Sequence, residues 1–143
     1  MKLRILSFSG ESFSSDKVIS ATLMTGIGEI TVLPGHAPLL TSIQPSTMYV
    51  VFTDDKGNEK RDDFAIGRGV VEIDHDQVKV MADMLVDIDD LDTDAAERAR
   101  EQAVALMEKY KNSSDKVEME KYIEAEDQLL RSIAQLKLGD LTK

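Results

Sequence analysis

The sequence predicts a β-sandwich or barrel at the N-terminus, followed by a C-terminal antiparallel αα-hairpin. Three observations carry this expectation. Up to about residue 82, short β-branched and aromatic runs alternate with turn signals and no helical segment intervenes. Beyond residue 92, apolar residues recur at three- and four-residue steps. Between the two patterns Asp83, Asp87, Asp89, Asp90, Asp92 and Asp94 follow one another with no basic side chain among them. The division expected is an antiparallel sandwich over residues 1–83, an acidic connector over 84–94 and a two-helix hairpin over 95–143.

Residues 1–6 read directly into a strand. Residues 18–24 set Val18, Ser20 and Thr22 against Ile19, Ala21 and Leu23, and 47–53 hold Met48-Tyr49-Val50-Val51-Phe52, the residue types that strands favour. Asp54-Asp55-Lys56-Gly57-Asn58 joins that strand to 59–66, and Asp74-His75-Asp76 joins 70–73 to 77–81, so two hairpins are expected. Gly67 and Gly69 flank Arg68 where two strands meet, which marks a bulge or tight corner. Gly26 and Gly28 precede a strand rather than a helix, so they read as turn glycines and not as a phosphate cradle.

From residue 92 Ala96, Ala99, Ala103, Leu106 and Tyr110 form one stripe of a helix, with Asp94 and Glu97 spaced as a capping box. Asn112-Ser113-Ser114-Asp115 breaks the pattern. Asp115 with Glu118 offers a second capping pair, and Tyr122, Ala125, Leu129, Ile133 and Leu136 form a second stripe. Small alanines on one helix allow close approach to larger residues on the other. Two helices alone bury too little to be firmly stable, so the pair needs a surface, either its own sandwich or another chain.

Charge narrows the role. The chain has 27 acidic and 17 basic side chains, net −10, which disfavours generic binding to nucleic acid or anionic lipid. Most of the excess sits at one place: residues 1–82 are net −3, 83–94 net −6 and 95–143 net −1. Self-repulsion there is expected to keep the joint extended. With no cysteine, disulfides and thiolate chemistry are excluded. No run approaches the roughly 18 apolar residues of a membrane span, and the first residues lack a signal peptide's apolar core, so a soluble, unexported protein is expected.

Candidate chemistry is sparse. His75 lies in the Asp-His-Asp turn and reads as a solvated turn residue. His36 lies in Pro34-Gly35-His36-Ala37-Pro38, a stiff loop with little freedom to lose on binding. Without a paired nucleophile or carboxylate it suits docking better than base catalysis. Asp90, Asp92, Asp94 and Glu101 match four positions of a calcium-loop template, but Ala95 stands where the turn needs Gly, and Arg98 opposes a cation. Helix-start acids favoured by the macrodipole explain them more simply. No catalytic residue, cofactor site or metal site is expected. The acidic outer face of the second helix, with Glu118, Glu120, Glu124, Glu126 and Asp127, leaves open a stand-alone acidic adaptor for protein partners.

The run Gly28-Glu29-Ile30-Thr31-Val32-Leu33-Pro34-Gly35-His36-Ala37-Pro38-Leu39-Leu40-Thr41-Ser42-Ile43-Gln44-Pro45 closely resembles the epsilon subunits of F-type ATP synthases, whose signature is a Gly-Glu strand and a Leu-Pro-Gly-His-Ala-Pro-Leu-Leu loop. Phe64-Ala65-Ile66-Gly67-Arg68-Gly69-Val70-Val71-Glu72-Ile73 and Gln77-Val78-Lys79-Val80-Met81-Ala82-Asp83 resemble the family's following strands. The resemblance implies a non-catalytic rotor subunit of the central stalk. Its sandwich would bind the gamma subunit and rest on the ring of c subunits, coupling proton flow to ATP synthesis. It places Glu29 and His36 on the side facing the c-ring.

The resemblance further implies a hairpin that lies folded on the sandwich or extends along gamma toward the alpha and beta subunits, where it inhibits ATP hydrolysis. The complex would sit peripherally on the cytoplasmic face of a bacterial cell membrane, or on the stromal side of a plastid thylakoid. The chain departs from the family's patterns at two points. Met84-Leu85-Val86-Asp87-Ile88-Asp89 replaces an Ala-Glu-Arg-Ala type segment, and Val117-Glu118-Met119-Glu120-Lys121-Tyr122 replaces the Ile-Asp-x-x-Arg-Ala motif through which some members bind ATP. Lysine lacks the forked donor set of arginine, so ATP is not expected as a ligand. The acidic second helix leads to an expectation of weak inhibition.

Overall fold

The structure is a computed structural model and describes residues 1–8 and 12–141. Ten strands follow one another: β1 (Lys2–Ser7), β2 (Ser12–Ser15), β3 (Val18–Thr25), β4 (Gly28–Val32), β5 (Leu39–Ile43), β6 (Ser46–Thr53), β7 (Glu59–Ile66), β8 (Gly69–Asp74), β9 (Gln77–Ala82) and β10 (Leu85–Asp87). A 3-10 turn (Ile88–Asp90) leads into α1 (Thr93–Tyr110) and α2 (Lys116–Asp140). The expected sandwich and helical pair are both present.

The strands form one hydrogen-bonded path, β10-β7-β6-β3-β5-β8-β9-β1-β2, with β4 attached to β3. That path wraps around the main core. Period-two burial shows why: in β9 Val78, Val80 and Ala82 point inward while Gln77, Lys79 and Met81 face out. Leu3, Ile5, Leu23, Ile43, Met48, Ile66, Val71 and Val80 fill the interior. Phe13 closes it edge-to-face against Phe52 and Phe64, with centroids 5.3 and 5.6 Å apart.

Both expected hairpins form. The β6–β7 turn is held by Asp54 N donating to Asn58 O at 2.8 Å, and in the β8–β9 turn His75 and Asp76 both take positive φ, as a two-residue hairpin loop requires. The Gly67-Arg68-Gly69 corner is a place of close approach. Gly67 N donates to Met84 O and Asp83 N to Arg68 O, stacking the following segment directly on the glycine backbone.

Four features differ from the sequence reading. The sandwich is not wholly antiparallel, because β1 runs parallel to β9. Parallel neighbours need a long crossover, and the intervening strands of the sandwich supply it. β2, β5 and β10 were not foreseen, being short, serine-rich or concealed beside prolines and aspartates. The capping acid of α1 is Asp92, which accepts from Ala95 N at 3.0 Å, rather than Asp94.

The fourth difference concerns the stretch expected as a solvated connector from residue 84. It begins as β10, paired with β7, with Met84 and Leu85 buried. Aspartates dominate its composition, but the apolar residues between them decide its path. Leu85 enters the main core, while Met84, Val86, Ile88 and Leu91 join a second cluster with Ala65, Ala134 and Leu138. Its acids serve as caps, Asp87 accepting from Asp89 N at 3.0 Å, so the joint is folded and not extended by repulsion.

α1 and α2 pack through small residues, with Ala96, Ala103 and Ala125 all buried and Gln128 Nε2 donating to Ala99 O at 3.3 Å. Asp115 caps α2 as expected, accepting from Val117 N and Glu118 N. The surface the pair needs is its own sandwich. Ala134 and Leu138 turn toward the sheet, Gly139 lies against Leu91 and Thr93, and Arg68 at the glycine corner meets Asp127 at 2.5 Å.

Candidate functional site

The loop that carries His36 is built by the β3–β4 hairpin and its exit. Gly26 and Ile27 form the hairpin turn between paired Thr25 and Gly28, and Gly28 takes a φ of +111°. Glu29 follows, exposed opposite Met24. Beyond Val32 the chain turns through Leu33-Pro34-Gly35-His36. His36 N donates to Leu33 O at 3.1 Å, and Gly35 sits at φ +84°. Proline then glycine with positive φ at the two central positions is the geometry of a type II turn.

Two further bonds stiffen the loop. Gly35 N donates to Asp76 Oδ1 at 3.1 Å, tying it to the β8–β9 turn. The His36 ring donates from Nδ1 to Ala37 O at 2.6 Å, so the nitrogen left to meet a partner is Nε2. Pro34, Gly35, Ala37 and Pro38 are exposed around it.

Glu29 and His36 do not form a pair. Val32 lies three steps along the strand from Glu29, about 10 Å of rise before the loop begins, and no bond among the described residues joins the two side chains. They offer an acid and an imidazole at successive points along one hairpin. Docking against separated polar groups is open to them; a shared proton-transfer step is not. His75, as expected, is a solvated turn residue, 91% exposed and beside Asp74 at 2.6 Å. Its neighbour Asp76 was missed as a contributor to the loop, because 41 residues separate it from Gly35.

A second surface was also missed. Leu6, Phe8, Val70 and Met81 line an apolar groove of about 540 Å³ with Arg68 and Asp83 at its margin. It lies where β8 begins and β9 ends, whereas the His36 loop is tied to the turn between them. The two surfaces therefore sit at opposite ends of one hairpin.

The other motifs have structural roles. Lys121 Nζ lies 5.6 Å from the Tyr110 ring centroid, and Tyr122 lines a shallow interhelical cleft with Met107 and Leu129. Asp92 of the calcium-like template is the α1 cap. Among the described residues no cluster of acids and histidines converges as a metal site, and no helix is long and apolar enough to cross a membrane.

The fold defines a class of protein: a β-sandwich with an appended helical pair. The family model described as "ATP synthase, Delta/Epsilon chain, beta-sandwich domain" matches residues 1–88. The ATP synthase epsilon chain of Hydrogenovibrio crunogenus is 32% identical over 137 residues, 96% of this chain and 87% of that one. The epsilon chain of Chromohalobacter salexigens is 35% identical over 130 residues, 91% and 81% of the two chains. A chain in the cryo-EM structure of the Euglena gracilis mitochondrial ATP synthase, OSCP/F1/c-ring in rotational state 1, shares the fold with a TM-score of 0.71 at 23% identity, covering 97% of this chain and 79% of that chain. The chain belongs to the ATP synthase delta/epsilon family, as an epsilon subunit. It is thus a non-catalytic stalk subunit of that enzyme, and the match through residue 88 takes in β10, beyond the boundary expected at residue 83.

Proposed function

We propose that this subunit turns with the central stalk, its sandwich bridging the gamma subunit and the c-ring so that proton flow is coupled to ATP synthesis. The observation that carries this reading is the pair of unlike surfaces at the two ends of the β8–β9 hairpin. A stiff polar loop at one end suits the polar loops of a ring, and the apolar groove at the other suits a helical stalk partner. A docking element between two moving partners must not deform, and the bonds from Gly35 to Asp76 and from His36 to Leu33 restrain the loop.

In this reading Glu29 and His36 face the c-ring and the complex lies peripherally on the cytoplasmic face of a bacterial membrane. The helical pair, folded on the sandwich here, is able to leave it for the alpha and beta subunits and so restrain ATP hydrolysis. The docking cluster is small, which is what two alternative packings within a few kcal/mol of each other require. An acidic α2 makes that restraint weak.

A chain ending at Asp90 keeps Leu85 in the core and should still assemble with gamma and the c-ring, while raising ATP hydrolysis only slightly. Failure to assemble would remove the docking role from the sandwich; strong activation would show a powerful brake. Substituting His36→Ala should reduce proton pumping per ATP hydrolysed without lowering the melting temperature of the free subunit. Pumping equal to that of the unaltered enzyme would take His36 out of the interface.

A further inference from the structure

Two carboxyls meet where the sandwich gives way to the helices, Asp62 on β7 and Asp87 on β10, with the exposed Asp89 of the 3-10 turn close enough for its charge to act on Asp62. The register pairs Asp87 with Phe64, so Asp62 is its diagonal neighbour on the same face of the β7–β10 ladder. That face is the core face. Phe64, Ile66 and Leu85 on it are buried in the main core, the β6 partner of Asp62 is the buried Val50, and Phe13 of β2 packs on Phe64.

Among the described residues no cation answers these acids. Arg61 points to the opposite face, 3.9 Å from the Tyr49 ring centroid and 2.9 Å from Asp63, while Lys60 is exposed and interacts with Asp54. α2 meets the sheet on the opposite face too, where Ala65 contacts Ala134 and Leu138, and its Lys137 and Asp140 are exposed. Burial first, then the charge of Asp87 and a hydrogen bond shared with it, push the Asp62 carboxyl up to about 7. Asp87 also caps the turn that starts the helical segment. A half-buried carboxyl pair thus spans the joint between the two parts of the molecule.

We propose that Asp62 and Asp87 form a proton-operated latch at the root of the helical pair. One proton between them ties the three-residue edge strand β10 to β7. When it leaves, two carboxylates face each other at the rim of an apolar core and the edge strand loosens. With the latch open, Asp62 returns to water and to its ordinary value of 3.8. The closed form therefore holds more protons between about 4 and about 7, and closure weakens as pH rises through that window. The weakening is at most about tenfold per pH unit and stops above the upper value. Any consequence for ATP hydrolysis rests on the movable-hairpin reading above, but the latch is measured on the free subunit and is judged apart from it.

The test is hydrogen–deuterium exchange of the β10 amides in the full chain, between about pH 5.5 and 8.5, above the sequence pI of 4.6 and corrected for intrinsic exchange rates. Protection of Leu85 to Asp87 should fall by up to about tenfold from pH 6 to 7 and then level off, while that of core strands such as β8 stays flat. In Asp62→Asn the side-chain amide donates to Asp87 at every pH, so protection should be high and independent of pH. If that variant does not fold, Asp87→Asn serves instead: its carbonyl oxygen still caps the turn, and the pH slope should shrink, since the charge of Asp87 is gone while Asp62 stays half-buried. A flat profile in the unaltered chain, a slope that survives in folded Asp62→Asn or is undiminished in Asp87→Asn, or an Asp62 carboxyl resonance titrating near the ordinary value would each overturn the latch.

Discussion

Leu138→Ala is expected to release the helical pair from the sandwich while leaving the sandwich folded. Leu138 is fully buried at the centre of the small cluster formed with Ala65, Met84, Ala134, Val86, Ile88 and Leu91. Truncating such a leucine costs about 2–5 kcal/mol, partly as lost transfer energy and partly as the cavity left behind. Every 1.4 kcal/mol is a factor of ten, so docking should weaken by roughly 30- to 4000-fold. The polar contacts that remain are too weak to hold it. Arg68 with Asp127 is an exposed pair, of a kind worth about 1 kcal/mol or less, and Gln135 Nε2 donates only to Met84 Sδ. The chain has no cysteine, so cysteines introduced at exposed Lys56 and Glu120 can carry a pair of labels. Their separation should broaden in the variant while the sandwich melts as before, because the main core is a separate cluster. An unchanged separation would mean that the joint, not this cluster, holds the pair down.

Gly69→Ala should destabilise the sandwich itself by about 3 kcal/mol or more, the upper range for overpacking. A Cβ there would lie 1.8 Å from Met81 O and 2.7 Å from Ala82 Cα. Both are backbone atoms of the paired strand β9, which is held in turn by β1, so no side chain can swing aside. Either the β8–β9 ladder opens at this end or the corner shifts and the groove beside Val70 is lost. Chemical denaturation of the isolated subunit measures the loss, and a change below about 1 kcal/mol would show that the ladder slips there cheaply. Gly57 is the control. It has φ +83° and open space where a methyl would stand, with no atom within 4 Å, so alanine there meets only the conformational cost of a positive φ.

Much of this was legible beforehand. The β6–β7 and β8–β9 hairpins announced themselves because strand period and turn chemistry are local properties, as is the Asp115 cap. The Pro34-Gly35-His36 loop was legible for the same reason, since Pro34 and Gly35 specify a turn whatever surrounds them. Asp76 was not, because its role depends on which distant turn comes to lie beside Gly35. The apolar groove was equally hidden, as Leu6, Val70 and Met81 come from three strands. The stretch after residue 83 misled for a different reason. Counting aspartates describes solvation on average, but Met84 and Leu85 decide where the backbone goes, and burying two such side chains outweighs keeping every nearby carboxylate fully hydrated when two of them, Asp87 and Asp92, act as caps.

By itself the sequence determined most of the strands, though not β2, β5 or β10, together with the two helices, where the loop turns and to which family the chain belongs. Each of these rests on periodicity, turn residues or an uninterrupted motif, all encoded over short stretches. The tertiary structure decided that β1 runs parallel to β9, that the acidic joint is an edge strand, that the helical pair lies on its own sandwich, and that Asp62 faces Asp87. These depend on pairing between residues far apart in the chain. Their energies come from apolar burial and carboxyl desolvation, which exist only once the sheet has closed around its core.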